Sequence, residues 1–157
     1  ATAKDFPGVG SATTDTDLRL QELRANAAQR KAALRPYRSL IARGLDAVMV
    51  AISGFPAYDP TGTSAALSGQ IISGLLRGRL GFTGVVVTDA LNAPTGHNEV
   101  AGGVLAARAG ADLLLYADSG TGELAALESA LARGRITPAQ AVASYRRIVA
   151  LKQRLPR

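Results

Sequence analysis

The chain has 157 residues, of which 47% are hydrophobic, so its length and composition suit one domain with a real core. It contains no cysteine and one histidine, which excludes disulfide bonds, thiolate metal sites and histidine-rich metal sites. The net charge is +6, but the arginines are scattered and aromatic residues make up only 4%, so we expect no nucleic-acid partner. No apolar run approaches the length of a membrane span, and we predict neither a metal ion nor a cofactor.

Strands and helices alternate along the first half of the chain. Residues 1–6 predict the end of a strand, and a loop follows. Helical spacing covers residues 23–42, where Pro36 is expected to kink or restart the helix. A second strand is predicted at 45–51, followed by a loop rich in glycine and proline at 53–64.

The second half continues the alternation. Ser68 is expected to cap a helix that Gly81 ends, and a third strand is predicted at 84–88. The remaining predicted elements are a helix at 99–109, a fourth strand at 111–116, and helices at 123–132 and 138–154.

This order with short connections is typical of an α/β fold in which parallel strands are joined by right-handed crossovers. A complete eight-stranded barrel needs about 250 residues, and a lone four-stranded parallel sheet leaves two edges unpaired. The pattern therefore fits half of a barrel or a small open sheet. Because the chain opens with Ala1 rather than methionine, we expect it to be part of a longer protein.

The apolar run at 84–88 leads directly into Asp89, which therefore follows a buried strand. Ligands of α/β folds bind beyond the carboxyl ends of the strands, so an acidic residue there is well placed for chemistry. On position alone, an equally good interpretation is that Asp89 only caps the next turn.

Nine short segments occur in an order and spacing that resemble glycoside hydrolase family 3, in particular its β-N-acetylglucosaminidase branch. They lie at 4–10, 14–17, 34–41, 47–51, 66–68, 74–77, 80–82, 84–91 and 109–112. The resemblance implies that residues 1–157 are the second half, about four βα units, of the family's (β/α)8 TIM-type barrel. It also implies that the N-terminal half-barrel comes from the same gene or from a partner chain.

The resemblance assigns roles to three residues. It implies that Asp89, in the motif Thr-Asp-Ala-Leu, is the catalytic nucleophile, and that Lys4 and the following residue, Asp5, bind sugar hydroxyls. A retaining glycosidase needs a carboxylate beneath the anomeric carbon and an acid about 5 Å from it. The resemblance therefore implies hydrolysis of β-linked N-acetylglucosamine or a related β-glycoside with retention.

The expected acid/base departs from the family pattern. That branch carries Asp-Ser/Thr-His on a mobile loop, whereas this chain has Asp15-Thr16-Asp17. Asp17, oriented by Asp15, could protonate the leaving group if their proximity raised its pKa. Equally, both could be solvated loop residues whose role has been lost.

Three hypotheses follow: a family enzyme with Asp17 as substitute acid, a catalytically impaired relative that binds carbohydrate or regulates, and a stable fragment with no activity of its own. Other family histidines are also replaced, by Asp5, Val9 and Ile52. The lone histidine, His97, matches no family role, and we interpret it as a surface loop residue. The sequence leaves localisation open between the cytoplasm and secretion.

Overall fold

The computed structural model describes residues 1–16, 18–116 and 121–154, without the side chain of Thr121. Three strands form a parallel sheet in the order β1-β2-β3, with β1 at Thr2–Phe6, β2 at Ala47–Val50 and β3 at Val85–Thr88. The helices are α1 at Ala27–Ala42, α2 at Gln70–Arg79, α3 at Glu99–Ala109, α4 at Thr121–Ala132 and α5 at Pro138–Arg154. The chain is therefore α/β, as predicted.

Several predicted helix boundaries differ from those observed. Helix α1 begins at Ala27 rather than at residue 23, because Asn26 and Gln29 form a reciprocal capping box there. The helix continues through Pro36 without restarting. Helix α2 is a π-type helix, whereas α3 has the predicted bounds.

The predicted fourth strand at 111–116 is wrong as a regular strand, since only an isolated bridge joins Leu113 to Val87. Two side chains interrupt the backbone ladder. The carboxylate of Asp112 accepts from the Val86 N–H at 2.9 Å, and Thr88 Oγ1 accepts from the Leu115 N–H at 3.0 Å. The segment therefore lies beside β3 but is fastened partly through side chains.

The main core lies between the sheet and its helices. Its most buried side chains include those of Phe6, Val48, Val50, Ile71, Ile72, Leu76 and Val86. Strands β2 and β3 are apolar on both faces, as expected of parallel strands covered by helices. Within the described ranges, no helix combines the length and apolar character needed to cross a membrane.

A buried ionic network ties the fourth segment to three other elements. Asp112, which is fully buried, accepts from Arg77 of α2 at 2.7 Å and from two nitrogens of Arg147 of α5 at 2.7–3.0 Å. Its Oδ2 also accepts from the backbone of Val86 in β3. Burial lowers the pKa of Arg77, and the charge of Asp112 partly offsets that effect. The network fixes the edge of the sheet opposite Asp89.

Candidate functional site

The candidate site lies at the carboxyl edge of the sheet, where the three strands end at one level. Phe6 of β1 is in register with Val50 of β2, and Val50 with Thr88 of β3. Asp5 and Asp89 therefore flank this level on strands separated by one intervening strand, a backbone spacing of roughly 10 Å. This is the edge at which α/β folds bind ligands.

Asp89 is held at the end of β3 by its backbone and by one carboxylate oxygen. Its N–H donates to the Val50 carbonyl at 2.9 Å, which extends the β2–β3 ladder by one bond. The Ala90 N–H donates to Asp89 Oδ1, also at 2.9 Å. The residue is half-buried, so its carboxylate is oriented by the protein while it remains accessible.

Lys4 and Asp5 lie in an irregular part of β1. From Ala3 to Phe6, β1 advances by three residues while β2 advances by two, so a bulge falls on Lys4 and Asp5. Asp5 has φ 66°, a left-handed conformation that costs energy for a residue with a side chain. Bulges near sites re-aim side chains, and here Lys4 Nζ lies 3.6 Å from Asp5 Oδ1.

Tyr37 of α1 supports this bulge from the core side. Its hydroxyl donates to the Lys4 carbonyl at 2.8 Å, and its ring packs edge-on against Phe6 at 5.0 Å between centroids. Burial, with a contribution from the charge of Asp5, raises the pKa of Tyr37 to about 12. The phenol is therefore a neutral donor throughout the physiological range.

Asp15 lies in the long loop between β1 and α1, whereas the predicted acid Asp17 lies outside the described residues. The amide of Gln21 holds this loop, since its Nε2 donates to Thr14 Oγ1 at 2.7 Å and to the carbonyls of Thr14 and Asp15 at 3.0 and 3.3 Å. The Gln21 side chain thus ties the part of the loop around Asp15 to the part of the loop that contains Gln21.

The backbone after Gln21 pairs with the loop that follows β2. The Gly54 N–H donates to the Gln21 carbonyl, and the Leu23 N–H donates to the Gly54 carbonyl, both at 2.8 Å. A Cβ at Gly54 would collide with the carbonyl oxygen of Gly62. Position 54 therefore requires glycine, and it joins the loop of Asp15 to the β2 side of the site.

The loop after β2 is shaped in turn by the buried carboxylate of Asp59. Its Oδ2 accepts from Ser68 Oγ at 2.5 Å, and its Oδ1 accepts from the hydroxyl and the N–H of Thr61 at 2.6 and 3.1 Å. Burial raises the pKa of Asp59, but these hydrogen bonds outweigh it and hold the pKa below its ordinary value. The anion stiffens the loop beside the site.

His97 is exposed in the loop before α3, in agreement with its interpretation as a surface residue. Its backbone N–H and carbonyl both contact Thr95 Oγ1, at 3.4 and 3.3 Å. In the part of the chain that the structure describes, no three acidic or histidine side chains are grouped to hold a metal ion.

The sequence reasoning missed the residues that hold this edge together. Tyr37 and Thr88 each make a contact between segments that are distant in sequence, and Gln21 holds Thr14 within the loop between β1 and α1. A signal existed only for Thr88, a polar residue that ends an apolar strand immediately before Asp89. Their partners could not be read from local spacing.

Comparison with known proteins gives a family-level match. Residues 1–151 match the family described as "Glycosyl hydrolase family 3 N terminal domain". A solved glycoside hydrolase family 3 β-N-acetylglucosaminidase from Paenibacillus sp. str. FPU-7 superposes with a TM-score of 0.92 and 43% identity, over 98% of this chain and 31% of that chain.

Two relatives with similar sequences are longer than this chain. An "uncharacterized secreted glycosyl hydrolase" of Arthroderma benhamiae is 35% identical over 99% of this chain and 46% of its own length. A "beta-hexosaminidase" of Stenotrophomonas maltophilia strain R551-3 is 40% identical over 66% of this chain and 30% of its own length. The chain thus spans less than half of each of these relatives.

Proposed function

Because this chain belongs to glycosyl hydrolase family 3, we propose that it supplies the nucleophile half of a retaining β-glycosidase. Its substrate is a β-linked N-acetylglucosaminide or a related β-glycoside, the class named for its hexosaminidase and β-N-acetylglucosaminidase relatives. The observation that carries the proposal is Asp89, a half-buried carboxylate at the carboxyl end of β3 with one oxygen anchored by the Ala90 N–H. The secreted fungal relative favours secretion over a cytoplasmic location.

The reaction proceeds in two displacements. A carboxylate oxygen of Asp89 attacks the anomeric carbon, the glycosidic C–O bond breaks, and the leaving oxygen takes a proton from an acid. Water then attacks the same carbon and gives a proton to the resulting base, and the ester C–O bond breaks to regenerate the Asp89 carboxylate. Lys4 and Asp5, which lie at the same edge of the sheet, bind the sugar hydroxyls.

Asp17, oriented by Asp15, is the acid/base of this proposal. The loop that carries them is linked by Gln21 to the segment that pairs with Gly54. The second candidate is a carbohydrate-binding relative without turnover, and the replacement of the family histidine by Asp17 favours it. An activated aryl leaving group helps to separate the two, because it needs little protonation: a chain that has lost only its acid still releases it, whereas a relative without turnover releases none.

The chain forms the second half of a (β/α)8 barrel, and its first half comes from the same polypeptide or a partner. Two features support this architecture. The relatives extend well beyond the matched region, and β1 has only β2 as a strand neighbour among the described residues. An unpaired strand edge of this kind is normally covered by a further strand.

The proposal is tested with the full-length protein that carries this chain, beside the 157-residue chain alone. We expect release of p-nitrophenol from the β-N-acetylglucosaminide or the β-glucoside by the full-length protein and none by the chain alone. Asp89→Asn should lower kcat by at least about 1000-fold, since the substitution removes a nucleophile that forms a covalent intermediate.

The matched control is Asp46→Asn, which changes a carboxylate near the amino end of β2, away from the site. We expect its kcat to stay close to that of the unchanged protein. Release of p-nitrophenol that survives Asp89→Asn would contradict the proposed nucleophile. Sugar binding without release from either substrate would instead support the carbohydrate-binding relative.

A further inference from the structure

The hydroxyl of Thr88 replaces a backbone carbonyl in the ladder beside Asp89. In a regular parallel ladder, the Thr88 N–H binds the Leu113 carbonyl, and the Leu115 N–H binds the Thr88 carbonyl. The first bond is present at 3.0 Å. The second is made to Thr88 Oγ1 instead, also at 3.0 Å. The side chain of Thr88 is fully buried, so this substitution is part of the fold rather than a surface contact.

The same segment is fastened again on the other side of Asp89. The Leu91 N–H donates to the Leu115 carbonyl at 2.9 Å. Leu115 therefore bonds to the residue before Asp89 through its N–H and to a residue after it through its carbonyl. Together with the Asp89 N–H bond to Val50, these contacts fix the backbone of Asp89 against both neighbouring segments.

The carboxylate of Asp89 is left in an asymmetric state. Oδ1 accepts from the Ala90 N–H at 2.9 Å. Among the described residues no donor contacts Oδ2. Fixing one oxygen and the backbone on both sides restricts the orientations open to the carboxylate, as an attack on an anomeric carbon requires.

We propose that Thr88 is a positioning residue, whose hydroxyl holds Leu115 so that Asp89 keeps the orientation needed for attack. This inference rests on the proposed function, because it assigns no role unless Asp89 is the nucleophile. Without the hydroxyl at position 88, the partly buried Leu115 N–H loses this partner. The Leu115 and Leu91 backbones then shift, and the turn that carries Asp89 shifts with them.

The test compares Thr88→Val, which keeps the shape but removes the hydroxyl, with Thr88→Ser, which keeps the hydroxyl. Both are measured in the full-length protein with an activated aryl β-glycoside. We expect Thr88→Val to lower kcat by about 100-fold with KM changed by less than about threefold, since a small displacement of a reacting group costs that much. Thr88→Ser should restore kcat to within about threefold of the unchanged protein.

If Thr88→Val fails to fold, Thr88→Cys carries the test, because sulfur is a weak acceptor of similar size and should give an intermediate kcat. An unchanged kcat in the Val or Cys variant would overturn the inference, as would an equal loss in the Ser variant. Asp89→Asn is measured in parallel. Full turnover by Asp89→Asn would mean that the proposed function has failed. A lowered kcat in Asp89→Asn with an unchanged kcat in the Thr88 variants would rule out the positioning role alone.

Discussion

Tyr37 illustrates how one buried side chain supports a candidate site without touching substrate. Its hydroxyl donates to the backbone of Lys4, and its ring packs on Phe6, so it holds the bulge that presents Lys4 and Asp5. Because Asp5 adopts a left-handed conformation, the bulge needs such support from its surroundings. The phenol supplies it from the core.

Replacement of Tyr37 by phenylalanine should destabilise the protein at neutral pH. It should also make the free energy of unfolding depend less on pH in the alkaline range. The lost hydrogen bond is worth about 1 kcal/mol. Burial raises the pKa of Tyr37 to about 12 in the folded state, above the ordinary value near 10. The folded state therefore retains the proton more strongly, and this contribution is complete below pH 10 and is lost as pH rises toward 12.

Urea unfolding of the unchanged protein and of Tyr37→Phe between pH 8 and 12 measures this effect. We expect the difference in unfolding free energy between them to shrink above pH 10. Tyr116→Phe is the control for the hydrogen bond. Burial also raises the pKa of Tyr116 to about 12, but its hydroxyl has no partner among the described residues. A difference for Tyr37→Phe that stays constant across the range would contradict a raised pKa of Tyr37 in the folded state.

At the scale of single residues, the sequence located Asp89, Lys4 and Asp5 at strand ends but not the contacts that hold them. An apolar run that stops at a charged residue marks the end of a buried strand, and this signal is local. The bond between Thr88 and Leu115 joins residues 27 positions apart. Such pairings depend on the final packing, so no local pattern could have predicted them.

The Asp112 network joins several elements of this fold at the edge of the sheet opposite Asp89. The carboxylate is fully buried and contacts α2, β3 and α5 at once. Asp112→Asn would leave Arg77 and Arg147, both mostly buried, without a counter-charge. Breaking a buried ion pair in this way costs about 3–5 kcal/mol.

Chemical unfolding monitored by far-ultraviolet circular dichroism checks this expectation. The matched control is Asp46→Asn, which breaks an exposed pair with Arg154 at 3.2 Å. We expect that change to have a much smaller effect, because exposed pairs are weak and screened by solvent. Equal stabilities for the Asp112→Asn and Asp46→Asn variants would argue against a structural role for the network.

Hydrogen bonds of the Asp112 and Thr88 side chains explain why one element was predicted incorrectly. Residues 111–116 have the composition of a strand, yet Asp112 and Thr88 occupy ladder positions with their side chains. The segment therefore runs beside β3 with a single bridge. By contrast, α3 was predicted with its observed bounds, because Asn98 and Gly110 are local signals for the two ends of a helix.

At the scale of the whole molecule, the proposed mechanism requires a barrel in which this chain provides the side that carries Asp89. The chain matches the family over residues 1–151 yet spans less than half of the relatives compared above. The alternation of strands and helices predicted the α/β class. The barrel is a proposal from family resemblance, because the pattern alone fits a small open sheet equally well.

The proposed mechanism has Asp89 form a covalent bond to the sugar, and mass spectrometry of a trapped intermediate detects that bond. The full-length protein is incubated with an activated fluoro-sugar β-glycoside, whose fluorine slows breakdown of the ester, and is then digested. We predict one added sugar on the peptide that contains Asp89, and no addition to the Asp89→Asn variant. A sugar on a different residue, or turnover with no trapped sugar, would contradict the claim.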